Sequence, residues 1–370
     1  VTRLSARHRG WVRPLLSVAV AAAAFAFVAH VVPFRDRCAT PDAPAVMLPV
    51  VRTADGCTLL APTGPRPLEP PACAALTCEP GLFSAFGRVR PARYLALFAL
   101  YLAGNFAWAA RWFLLVRLGG LRLRLLQVWR VTLEAQAGGI MLPGGVGGDA
   151  LRIAAAVGHG APPSVVIASV LLDRVIGLVT LAGTAAAVSV SMTGLAPTTR
   201  ATTLALAAFP VAFGVALALR PVAARLVRSA PRRLRRLFAV VEPAIDYALS
   251  PGALSAIARA VVVSGAVSLV QLLVIRGIIA ALGVTPVTES WVFVGSAIAF
   301  MVAAVPVLPG GWGTADAAFV FFLARAGIGP ETGLAASLLY RSLWYLSGIV
   351  GGCLQLARAT RNRPSVAAPP

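Results

Sequence analysis

Seven apolar stretches, at about residues 15–33, 94–116, 164–191, 201–219, 259–282, 291–308 and 335–357, dominate this chain. A helix crosses a bilayer with roughly 20 apolar residues, so stretches of this length commit the chain to a polytopic membrane fold. Composition agrees: of 370 residues, 58% are hydrophobic and 12% charged, and the mean hydropathy is +0.82. Soluble domains carry about a quarter charged residues. The expected class is all-α, a polytopic transmembrane helix bundle, with little room for a soluble catalytic domain.

The net charge of +20 is carried entirely by arginine, which supplies all 33 basic residues. They sit mainly in short segments between apolar runs, a pattern that serves topology and anionic headgroups, so nucleic acid is not expected as a partner. Lysine-free usage fits a GC-rich bacterial coding sequence. The arginines place residues 1–14, 117–130, 220–236 and the tail 358–370 in the cytoplasm, and the 34–93 loop, the 192–200 turn and the 283–290 turn outside. Residues 15–33 read as a first transmembrane helix, since no clean small-x-small cleavage site follows them. Residues 94–357 read as the main transmembrane domain. For the sides to agree, 131–163 must enter and leave at the cytoplasmic face, and 291–334 at the outer face. Both are expected to be re-entrant or paired short helices.

The outer loop is rich in proline and alanine and contains Cys38, Cys57, Cys73 and Cys78. An even number in an extracytoplasmic segment points to one or two disulfides among them. No histidine lies nearby to suggest zinc, and no metal or cofactor is expected. Cys353, in the last run, reads as a buried apolar residue.

Two short stretches break the apolar pattern in the same way. "LPGGVGGDALR" at 142–152 and "LPGGWGTAD" at 308–316 align with an offset of 166, which one inserted residue raises to 167. Pro143, Gly144, Gly145 and Gly147 fall on Pro309, Gly310, Gly311 and Gly313; Asp149 falls on Asp316, and Arg174 on Arg341. Repeat one covers about 131–191 and repeat two about 291–357. The arginine-derived sides give the copies opposite orientations, as in the inverted repeats of secondary transporters, each with a Gly/Pro-broken re-entrant segment.

Such a break frees backbone polar groups, tolerable only where protein or a watery cavity satisfies them. A helix resuming at Gly148–Asp149 points its amides at that cavity, and Arg152 returns to the same side one turn on. Asp149 and Asp316 are also good helix caps. Asp173 and Arg174 lie within an apolar run, where a charge costs about 2.5–3.5 kcal/mol at mid-helix, so both are expected to face the interior. Neighbours on a helix do not face each other, so each should have its own partner. Arg174 and Arg341 could clamp a phosphate or hold a structural ion pair. Glu134 could balance Arg130 or Arg152, and Arg111, Arg276 and Arg325 could snorkel from span ends. Trp108, Trp112, Trp129, Trp291, Trp312 and Trp344 include candidate interfacial anchors. No catalytic constellation is present.

At these residues the chain resembles the transmembrane, flippase-like family named after lysylphosphatidylglycerol synthase. The likeness is carried by "LPGGVGGDALR", by "ASVLLDRVIGL" at 168–178, and by "LPGGWGTAD" followed by the Arg341 run, and covers roughly 94–357. Two departures stand out: Gly138 and Gly139 occupy the region where members often carry asparagine, and Ala315–Asp316 stands in place of a common Arg-Glu. The resemblance implies a membrane part that moves a lipid between leaflets, without the separate cytosolic aminoacyltransferase domain of the synthases. The expected function is binding and translocation of an anionic lipid, phospholipid or isoprenoid-phosphate, in a bacterial inner membrane, with both termini cytoplasmic. Its expected binding set is Pro143, Gly144, Gly145, Gly147, Gly148, Asp149, Arg152, Asp173, Arg174, Pro309, Gly310, Gly311, Gly313, Asp316 and Arg341. The alternative is a non-catalytic scaffold or subunit of a membrane system that modifies lipids or glycolipids.

Overall fold

The computed structural model describes residues 26–27, 30–53, 56–62, 64–79, 81–121, 123–141, 146–191, 197–229, 242–304 and 312–361. Most of the expected first helix, residues 1–14, the end of the tail, and Pro143, Gly144, Gly145, Pro309, Gly310 and Gly311 lie outside them.

Residues that open the described chain form a small β-unit. Strands β1 (Arg37–Thr40), β2 (Ala43–Thr53), β3 (Gly56–Ala61), β4 (Gly64–Leu68) and β5 (Thr77–Glu79) make one antiparallel sheet in the order β4-β3-β2-β1-β5. This corrects the all-α expectation for the 34–93 loop. The cysteines are the physical reason so few residues hold together. Cys38 lies directly opposite Cys78 on paired strands and bonds to it, and Cys57 bonds to Cys73 on the short helix α1 (Pro70–Ala74). Cys38, Val50, Cys57 and Leu59 form the unit's own buried core. Such cross-links constrain the unfolded chain where a core alone is too small. The sheet is tied to the helices below it by the Gly81 amide donating to Asp36 (2.7 Å) and by Val32, Leu82 and Ala85 entering the main core.

The remainder is helical. After α2 (Leu82–Gly87) come α3 (Pro91–Leu118), α4 (Leu125–Met141), α5 (Val146–Val157), α6 (Pro163–Ser191) and α7 (Pro197–Ala218). Then follow α8 (Arg220–Ser229), α9 (Glu242–Leu249), α10 (Ala253–Ala281), α11 (Glu289–Ala303), α12 (Thr314–Leu323) and α13 (Pro330–Arg361). Proline opens α3, α6 and α13, where its missing N–H costs nothing and its fixed φ is already helical. Among the described residues, Pro91–Leu118, Pro163–Ser191, Arg200–Ala218 and Ala253–Ala281 are long and apolar enough to cross a membrane. The 291–308 run yields only the 15-residue α11.

Helices α4 and α5 fold against each other as a hairpin, and so do α11 and α12. Glycine makes the first hairpin tight: a Cβ on Gly148 would stand 2.8 Å from the Ala135 carbonyl oxygen. Each short hairpin then packs against the long helix that ends the other repeat, α4 on α13 and α11 on α6. Helices α3 and α10 run antiparallel, with Gly104 against Val270, Gly277 against Leu97, and Arg111 reaching Ser264. Helices α4 and α13 are antiparallel too, with Gly139 beside Trp344, Gln136 bonded to Ser347, and Arg130 bonded to the Leu354 carbonyl (2.7 Å).

Gly351 sets the closeness of that last pair, because a Cβ there would collide with the backbone at Leu133 and Glu134. Gly351→Ala is expected to cost about 1–3 kcal/mol through overpacking. The check is the thermal midpoint of the purified protein, compared with Gly352→Ala, where a Cβ meets open space.

Candidate functional site

The aspartates and arginines aligned by the repeat pair with one another. Asp149, in the first turn of α5, accepts from Arg174 Nε of α6 at 2.6 Å. Asp316, in the first turn of α12, accepts from Arg341 Nη2 of α13 at 2.9 Å. Each pair joins residues 25 apart in sequence, so the offset of 167 carries one contact onto the other. Both carboxylates also sit where a helix dipole favours negative charge. Asp316 additionally accepts from the Gly313 amide (2.9 Å) and the Ser337 hydroxyl (2.6 Å), closing the first turn of its helix.

Asp173 is the common acceptor of a buried cluster that joins repeat one to α3. It accepts from Arg111 Nε (2.6 Å), Trp108 Nε1 (3.2 Å) and Arg152 Nη1 (3.2 Å). Asp173 and Arg174 thus have separate partners. Arg111 is not a snorkelling residue: α3 continues two turns beyond it and packs it against α6 and α10, where Nη1 donates to Ser264 (2.7 Å). Nor are Trp108 and Trp112 interfacial anchors, since their rings flank the Arg152 guanidinium at 4.6 and 4.5 Å. Charge and aromatic faces attract in this arrangement, more so when desolvated.

Arg152 is 1% exposed, and its Nε and Nη2 have no hydrogen-bond partner among the described residues. Its Nη1 also lies 3.9 Å from Asp149. A buried guanidinium normally has its donors satisfied, so unpaired N–H groups beside a cavity mark where an acceptor is accommodated.

That cavity, of about 400 Å³, is bordered by Arg111, Arg152, Asp173, Arg174 and Arg341. A smaller chamber of about 60 Å³ adjoins it, bordered by Gly139, Gly148, Asp149, Arg152, Arg174 and Trp344. Repeat two contributes neutral groups at the corresponding places. The offset puts Phe319 where Arg152 stands and Tyr340 where Asp173 stands; both line the larger cavity and pack on Phe300. Around the cavity Arg111 and Arg152 pair with Asp173, Arg174 pairs with Asp149, and Arg341 pairs with Asp316.

Of the other expected site residues, Gly147 and Gly148 lie buried in the first turn of α5, and Gly313, with φ +74°, precedes α12. Glu134 pairs with Arg130 (2.8 Å). Arg276 takes a two-pronged ion pair with Glu289, and the exposed Arg325 lies over Trp291, Phe321 and Phe322. Trp129 is half-buried and donates to Asn105 (3.0 Å), whereas Trp291 is buried in the main core. Cys353, read as buried, is exposed on α13, because that face turns away from the bundle. The sequence reading missed Trp108, Trp112, Arg111 and Ser264 as parts of the cluster. Arg111 between two tryptophans inside an apolar run was the available signal. Among the described residues no three His, Cys, Asp or Glu side chains come together as a metal site.

No curated protein matches the chain. The profile of the lysylphosphatidylglycerol synthase transmembrane region matches residues 81–352, from the helix that joins the β-unit to the bundle through most of α13. That stretch contains both hairpins, both repeated ion pairs and the whole cavity. With several apolar helices and this match, the chain is a multi-pass membrane protein, and it belongs to the lysylphosphatidylglycerol synthase transmembrane-region family.

Proposed function

We propose that this protein binds an anionic lipid by its headgroup in the arginine-bordered cavity and carries it between leaflets. The observation that carries the reading is Arg152: fully buried, with two donor atoms unpartnered among the described residues, beside a cavity that three further arginines border. A guanidinium recognises a phosphate through parallel hydrogen bonds, which a low-dielectric wall strengthens. Arg174 and Arg341 border the same space from the two repeats and add to the attraction, while Asp149 and Asp316 hold them in place.

Movement between leaflets needs a site reachable from both sides, and an inverted repeat supplies it. In this reading α4–α6 and α11–α13, over about 131–191 and 291–357, are the two copies, related by opposite orientation, and α3 and α10 are the helices that precede them. The antiparallel packing of α3 on α10 and of α4 on α13 supports it, as does the recurrence of the Asp–Arg pair. At about 1.5 Å per residue, α4 and α5 reach about 26 and 18 Å, short of the roughly 30 Å hydrocarbon core, so each hairpin is read as re-entrant. The location is a bacterial inner membrane, both termini cytoplasmic, and the role is transport rather than catalysis.

A scaffold role is favoured by one observation: both Asp–Arg pairs lie within a repeat and could serve packing alone. Reconstitution separates the two. In liposomes containing a labelled anionic phospholipid, the purified protein is expected to speed its appearance in the opposite leaflet, and Arg174→Gln or Arg341→Gln to slow this with the thermal midpoint little changed. Failure to move any anionic lipid would sink the transport reading, and unfolding of both variants would favour the scaffold.

A further inference from the structure

The smaller chamber has the dimensions and wall of a site for one chemical group. A water needs about 10–15 Å³ of such space, so about 60 Å³ admits a group of about five heavy atoms, the size of a phosphate. Its wall includes Arg152, whose Nε and Nη2 are buried and unpartnered, and Gly148 in the first turn of α5. A helix leaves its first amides without intrahelical partners, and its dipole favours an anion there. The carboxylates that face this place are accounted for: Asp149 is held by Arg174 at 2.6 Å, and Asp173 by Arg111 at 2.6 Å. Trp108, Gln136, Arg152, Arg174 and Trp344 border both spaces, so a group in the small chamber sits at the edge of the larger cavity.

Resting on the anionic-lipid reading above, we propose that this chamber is a phosphate subsite and that the lipid it takes is a phosphomonoester. A monoester ends in its phosphate, and its single substituent leaves toward the larger cavity, where Phe300, Phe319 and Tyr340 form an apolar aromatic wall. A monoester presents three unsubstituted oxygens to the chamber, whereas a diester presents two and must pass both substituents out toward the larger cavity. Charge favours the same choice, because a phosphomonoester carries about −1.5 to −2 at neutral pH against −1 for a diester. The repeat mate of this place lacks the counterpart of Arg152, having Phe319 instead, so the subsite is single and lies on the repeat-one side.

The full chain in nanodiscs of zwitterionic lipid tests this by native mass spectrometry with four added lipids. Phosphatidic acid and a polyprenyl monophosphate are the monoesters; phosphatidylglycerol and a polyprenyl-phosphoryl sugar are the diesters. Both monoesters are expected to bind at least about tenfold tighter than the diester sharing their chains. The tighter of the two monoesters identifies the source of the phosphate. Gly139→Val narrows the chamber without touching a charge, since a Cβ there meets Trp344 no nearer than 3.4 Å. It should erase the preference and spare diester binding. Should that variant not fold, Arg152→Lys, which keeps the charge and loses the planar donors, is expected to weaken monoester binding more than diester binding and so to shrink the preference. Equal affinity for monoesters and diesters overturns the proposal while the anionic-lipid reading stands, and so does a preference that survives both variants. Binding of none of the four lipids removes the broader reading as well.

Discussion

Asp173→Ala is expected to destabilise the protein by about 3–5 kcal/mol, the cost of breaking a buried ion cluster by removing one partner. Asp173 is the shared acceptor for Arg111, Arg152 and Trp108, and both it and Arg152 are 1% exposed. Without the carboxylate, two guanidiniums remain buried side by side and repel each other, with Asp149 at 3.9 Å the nearest remaining carboxylate to Arg152. Denaturant-induced unfolding in detergent, followed by tryptophan fluorescence, reads the loss directly. The triple change Arg111→Leu, Arg152→Leu and Asp173→Leu should recover much of it, because well-packed apolar residues often replace a buried ion cluster at no net cost. A stable triple variant that binds no anionic lipid would show that the cluster is kept for its chemistry. An unchanged stability on Asp173→Ala alone would mean that the carboxylate is not the common acceptor.

Arg152→Gln is expected to weaken binding of an anionic lipid by about thirtyfold or more, the range that follows from about 2–5 kcal/mol for truncating one partner of a buried charged hydrogen bond. Its effect on folding should be much smaller than that of Asp173→Ala, because Arg111 and Trp108 still satisfy Asp173. The two variants therefore act in opposite proportions: the aspartate on stability, the arginine on the ligand. Titration of the purified protein with an anionic phospholipid, alongside its thermal midpoint, measures both. Unchanged affinity in a folded Arg152→Gln protein would move the headgroup away from this residue. Arg174→Gln should give a smaller loss, since the Arg174 side chain is 37% exposed and water screens its charge.

The sequence itself contained the helical bundle and the repeat. Runs of twenty or so apolar residues have few solutions in lipid, and the offset of 167 joined Asp149 to Asp316 and Arg174 to Arg341 before any contact was known. Those two pairs form because each carboxylate begins a helix and each arginine lies on the helix that follows, so their meeting is a local consequence of the motif. The β-unit was not legible in the same way. Four of its strands are short, prolines interrupt β2 and β4, and what holds them is cross-strand pairing and two disulfides whose partners spacing could not choose.

The centre of the site was the other gap, and its cause is distance. Arg111 reads as one more basic residue near a span end until α3 is packed against α6 and α10, which brings it to Asp173, 62 residues on, and to Ser264, 153 residues on. Trp108 and Trp112 likewise look like lipid-facing aromatics until Arg152 lies between them. Local sequence determined which segments are helices, where they break and which charges pair within a repeat, because those outcomes depend on residues a few turns apart. The offset of 167 already sets Phe319 at the place of Arg152, but tertiary packing alone decided that Arg152 is buried with donors to spare and that both line one cavity. That placement depends on long helices far apart in the chain closing around one cavity.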